Sequence, residues 1–157
     1  NETGSGSLVF GTSPNITTPT GIVKGDVGLG NVDNTSDATK NSATATLTNK
    51  RITMRVQSVT SSATVTPNAD NDDCVKITAQ AAALTLANPS GTATSMQPMT
   101  IRIKDNGTAR AITYGANYRA IGITLPTTTV ISKTLYLGMM YNSDDTKWDV
   151  VGYSLQA

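Results

Sequence analysis

A chain of 157 residues with 12 basic and 11 acidic side chains carries a formal charge of +1, too weak a field to recruit nucleic acid or an anionic membrane. Histidine is absent, which excludes a Ser-His or Cys-His nucleophile within the chain, and the single cysteine, Cys74, excludes an intrachain disulfide framework. No apolar run approaches the length of a membrane span and no secretory signal is visible, so membrane insertion is not expected. The chain opens on Asn1 rather than methionine, as a fragment or processed piece does.

Residues 1–50 are rich in Gly, Ser, Thr and Asn, and their large apolar residues come in small, spaced clusters. Such an inventory does not offset the entropy of folding a lone chain. The segment is either a disordered linker or an extended stem ordered by other copies of itself, and the clustering favours the stem. Within it, Gly25–Asp37 offers three apolar anchors, Val27, Leu29 and Val32, as candidates for a shared axis. Gly28 and Gly30 between them allow backbones to approach closely. Thr35 or Ser36 is placed to cap a brief helix near residues 36–42, with Asp37 in its first turn.

From Ile52 onward the texture changes to a period of two. Ile52, Met54 and Val56 alternate with polar residues, as do Met99, Ile101 and Ile103, then Ile121, Ile123 and Leu125. Leu135, Leu137, Met139 and Tyr141 repeat the spacing, and Trp148–Tyr153 closes the chain. These predict half-buried strands, with weaker ones at 63–66, 75–78, 84–87 and 110–114. Asn106-Gly107 predicts a tight hairpin turn, and Asn142–Thr146 a second. Residues 51–157 are therefore expected to form an antiparallel β-sandwich or barrel-like head.

Chemistry-bearing clusters are few. Asp70-Asn71-Asp72-Asp73 offers oxygen ligands in a short loop, but no bidentate Glu follows, so no metal is assigned and no cofactor is expected. Asp33–Asp37 lacks the central Gly and terminal Glu of a calcium loop, and Asp144-Asp145 is explained by a turn. Two carboxylates can hydrolyse a glycosidic bond without histidine, yet nothing in the sequence pairs any two across a cleft, so no catalytic residue is named. Trp148 reads as a strand anchor in the core. Tyr114, Asn117, Tyr118 and Arg119 surround a Gly-Ala-Asn turn whose composition suits polar and carbohydrate contact, and they are the candidate receptor-binding set. The competing reading of the same segment is a hairpin connection with edge-strand tyrosines.

Thr3-Gly4-Ser5-Gly6-Ser7-Leu8-Val9-Phe10, running on to Thr12-Ser13-Pro14 and Thr18-Pro19, resembles a segment of many bacteriophage tail-fibre and minor structural proteins. Val27-Gly28-Leu29-Gly30-Asn31-Val32-Asp33-Asn34-Thr35-Ser36-Asp37 is similar to their stems and collars. Leu47-Thr48-Asn49-Lys50 with Ile52 resembles the element that leads into a following domain. Ile101–Arg110 and Lys147–Val150 resemble a small β-rich terminal domain of such proteins. The resemblance implies a homotrimeric stem and β-knob on the virion, contacting other tail or head proteins and attaching to a host polysaccharide or protein receptor. It supplies neither a catalytic set nor receptor-contact residues. A purely structural virion role, binding another virion protein, and a polysaccharide-degrading tailspike are the alternatives it leaves.

Overall fold

A computed structural model of the chain describes residues 51–157, together with Gly28, Thr44, Thr46, Thr48 and Asn49. Two units divide the chain, Asn1–Lys50 and Arg51–Ala157, and the second is described by itself. Val27, Leu29, Val32 and the brief helix near 36–42 lie outside the described residues. Gly28 takes φ +72°, a left-handed conformation that favours glycine.

The described residues form strands and no helix, so the unit is all-β. Its strands are β1 (Val56–Val59), β2 (Thr64–Val65), β3 (Cys74–Gln80), β4 (Leu84–Leu86), β5 (Pro98–Asp105), β6 (Ile112–Tyr114), β7 (Tyr118–Ala120), β8 (Thr134–Asn142) and β9 (Lys147–Leu155). The larger sheet has the order β1-β3-β5-β8-β9-β7 and the smaller β2-β4-β6. The first six strands alternate between the two sheets, and all their pairings are parallel. They make three coils of a short parallel solenoid, each coil giving one strand to each sheet. The chain then turns antiparallel, with β8 against β5 and β9 against β8, and β7 returns parallel to β9.

Mixed pairing corrects the expected antiparallel sheet. Alternation fixes which side of a strand is buried but not which strand lies beside it. Asn106-Gly107 shows the consequence. Gly107 adopts φ +107°, but this turn carries the chain from β5 in one sheet to β6 in the other. It is a corner, not a hairpin. The cause is Asp105, whose Oδ1 accepts from the Gly107 amide at 2.7 Å and the Ser132 amide at 2.9 Å. Its Oδ2 accepts from the Thr129 hydroxyl at 2.6 Å. These bonds tie the end of β5 to the 129–132 connection and direct the following residues off the sheet. The turn at 142–146 is a true hairpin, with Asn142 paired to Lys147 and Asn142 Oδ1 accepting from the Asp144 and Asp145 amides.

Parallel register stacks like on like. On the inner face Val75 lies beside Ile101 and Ile77 beside Ile103, and Leu137 and Leu135 continue those rows. In the smaller sheet Val65, Leu86 and Tyr114 form one row and Leu84 and Ile112 another. Both sheets contribute to a single buried core. Burial of these branched and aliphatic side chains is the main stabilising term. Gln80, fully buried at the end of β3, is satisfied by the carbonyls of Ser62 and Ala82 and the amide of Ser62.

Two expected strands are absent. Residues 121–125 form part of the connection before β8, from which Ile123 and Leu125 pack on the core. Over residues 51–55 no strand forms, and Ile52, Met54 and Val56 stand 86%, 52% and 51% exposed. The physical reason is position: β1 is the outermost strand of its sheet and pairs with β3 only from Val56 onward.

Candidate functional site

The turn between β6 and β7 joins the two sheets, and its tyrosines face inward. Tyr114 and Tyr118 meet edge to face with ring centroids 5.8 Å apart. The Tyr114 hydroxyl donates to the Pro126 carbonyl at 2.8 Å and the Tyr118 hydroxyl to the Ala87 carbonyl at 3.1 Å. Burial pushes the Tyr114 hydroxyl up to about 12, and burial with the Tyr114 neighbour pushes Tyr118 further in the same direction. Tyr118 is only 7% exposed and presents no face to a receptor. Gly115 lets this turn close on the preceding coil: a Cβ there would lie 2.2 Å from Asn88 Oδ1. The same Oδ1 accepts from the Asn117 amide at 2.8 Å, while the Asn117 carbonyl accepts from the Trp148 amide.

Arg119 lies on the outer face and is already engaged. Its Nε and Nη2 fork onto the two oxygens of Asp149 at 2.7 and 3.0 Å, and its Nη1 reaches Asp145 at 2.7 Å. The hydrogen bonds from Arg119 hold the Asp149 carboxyl below its ordinary value against the opposing effect of burial. The expected receptor set thus divides. Tyr114 and Tyr118 belong to the core, and Arg119 is a clamp between β7, β9 and the β8–β9 turn.

The acidic stretch at 70–73 is likewise closed by the protein. Arg55 forks onto Asp73, whose carboxyl falls to about 2, chiefly through that side-chain bond. Asp72 accepts from the Asn68 amide at 2.7 Å and Asp70 from the Thr92 amide at 3.0 Å. Among the described residues, no three His, Cys, Asp or Glu side chains gather to hold a metal.

Among the described residues, two concavities lie on the outer face of the larger sheet. One, of about 230 Å³, sets Met96, Met140, Ile121 and Val151 against Asp144 and Asp149. The other, of about 510 Å³, is lined by Arg102, Lys104, Tyr136, Ser154 and the chain end at Leu155 and Gln156. Register extends this second groove. Ser58, Lys76, Arg102, Tyr136 and Ser154 lie side by side on β1, β3, β5, β8 and β9, each in the outward phase of its strand. At about 4.8 Å per strand the row is about 19 Å long.

The electrostatics of this row are unusual. Lys76 and Arg102 are direct neighbours, an arrangement that costs free energy on a sheet surface. Among the described residues the ion pairs are those of Arg55 and Arg119, so neither Lys76 nor Arg102 has a carboxylate partner. Their fields reach Cys74 on the same face: burial pushes its thiol up, and Arg102 and Lys76 pull against that shift. Lys104 donates to the Ser132 carbonyl at 2.6 Å, and Tyr136 stands 45% exposed. Sequence alternation places Arg102 and Lys104 opposite the core. The parallel β3–β5 register, which no local signal encodes, brings Lys76 beside them.

Compared with family models, curated protein sequences and solved structures, the chain matches none.

Proposed function

We propose that the chain is part of a bacteriophage fibre, in which residues 1–50 form a homotrimeric stem and residues 51–157 a β-knob that attaches to the host cell. The observation that carries this reading is the exposed row Ile52, Met54 and Val56 at the start of the β-unit. Three large apolar side chains on alternate residues, exposed among the described residues, are what an assembly of several chains covers. The apolar-poor composition of residues 1–50 supports the same requirement, and the resemblance to fibre stems supplies the number three. With Tyr114 and Tyr118 committed to the core, the outer face of the larger sheet, which carries the row of Lys76, Arg102 and Tyr136, is the surface we assign to host contact. The setting is the virion surface, and the function is attachment rather than catalysis.

Binding of the labelled full-length chain to the bacterium that the particle infects tests this reading. Retention on those cells, with slower attachment of the particle after preincubation, is the expected result. Retention only on other proteins of the particle would replace it with a structural virion role.

A further inference from the structure

The geometry points to an acidic polysaccharide as the ligand of the outer strip formed by Lys76, Arg102, Lys104 and Tyr136. This deepens the attachment reading, on which its biological setting rests, but the chemistry stands on the strip itself. Lys76 and Arg102 are held side by side on adjacent parallel strands with no carboxylate partner among the described residues. An anion that bridges them removes the repulsion the fold otherwise carries. Arg102 presents a planar fork suited to a carboxylate or sulfate, and Lys76 a point charge beside it. Tyr136, the direct cross-strand partner of Arg102, sets an exposed ring next to that fork. Ser58 and Ser154 extend the row with hydroxyls at either end, both exposed. Two hydroxyls therefore flank an adjacent pair of charges and a ring along the row, a set of contacts suited to a linear chain of acidic sugars.

A nucleic acid fits this track less well. Its affinity comes from neutralising many phosphates, and the whole chain carries a net charge of only +1. Single-stranded binding also draws on several stacking aromatics, whereas the strip offers Tyr136 alone.

Calorimetric titration of the full chain with polygalacturonate oligosaccharide, with neutral dextran oligosaccharide of equal length, and with a DNA oligonucleotide of equal charge tests the assignment. Polygalacturonate is expected to bind with at least tenfold preference over both. The double variant Lys76→Ser, Arg102→Ser is expected to bind it at least tenfold more weakly, with an unfolding midpoint no lower than that of the parent, because it also removes the repulsion between the two cations. Bound polygalacturonate is also expected to slow the reaction of Cys74 with iodoacetamide, because that thiol lies on the same face beside both cations. Equal binding of dextran or DNA, undiminished binding by a folded double variant, or binding that leaves Cys74 reactivity unchanged would each overturn the proposal. These measurements use no cells, so their failure is separable from a failure of the chain to attach to its host.

Discussion

Asp105 is a carboxylate only 3% exposed, and three hydrogen bonds hold it in place of a cation. Burial alone would raise its proton affinity; the Thr129 hydroxyl and the Ser132 and Gly107 amides outweigh that and keep it below its ordinary value. Asp105→Ala leaves those donors without an acceptor and is expected to cost about 3 kcal/mol of stability in urea unfolding. Buried Trp148 gives the fluorescence reading. Gly115 offers a test of close approach. Gly115→Ala would drive a Cβ into Asn88 and is expected to cost about 2 kcal/mol. Gly152→Ala, with nothing within 4 Å of the added atom, should stay within about 0.5 kcal/mol of the parent. Arg55 and Asp73 provide the pH test. The folded carboxyl lies at about 2, below its ordinary 3.8, so its contribution is complete above 3.8 and is lost as pH falls towards 2. The stability gap between the parent and Arg55→Ala should therefore be open at pH 6 and close across that interval. A gap that persists at the lowest pH would show that the pair contributes by packing instead.

At the scale of strands, the sequence reveals phase more readily than partnership. Met99–Ile103 alternates with polar residues, Leu135–Tyr141 keeps the spacing although Tyr136 and Met140 between are not polar, and both lie in strands with an apolar side facing the core. The Asn142–Thr146 hairpin was legible because its turn residues and both flanking strands are local. Asn106-Gly107 misleads for the complementary reason. Its glycine does supply a left-handed turn, but the direction of the exit depends on Asp105 meeting Thr129 and Ser132, far along the chain. Ile121, Ile123 and Leu125 share the same alternation without becoming a strand. β7 pairs with β9 over Tyr118–Ala120, and after the Ile121 amide bonds to the Val150 carbonyl the chain leaves the sheet. The tyrosine turn was visible as a composition but not as a burial. Only the folded unit shows the Tyr114 and Tyr118 hydroxyls donating to carbonyls of other segments. Register also sets dynamics. β1 pairs on one side alone, whereas β5 lies between β3 and β8. Amides of β1 should exchange with solvent well before those of β5 in a hydrogen-exchange series; equal protection of the two would mean that another chain covers the β1 edge in solution.

On the scale of the molecule, the β-unit joins a three-coil parallel solenoid to an antiparallel pair, and its outer face is divided by charge. Lys76, Arg102 and Lys104 mark one region, while Asp145 and Asp149 engage Arg119 in another, with Asp144 beside Asp149 in the adjoining concavity. A net charge near zero conceals this division, which is why composition gave no indication of an anionic ligand. The proposed assembly rests on the thin apolar inventory of residues 1–50 and on the exposed Ile52, Met54 and Val56. Every further part of the fibre reading depends on that association. Sedimentation equilibrium of the full chain at micromolar concentration tests it most directly. The account predicts a single species of three chains; the mass of one chain across that range would contradict it.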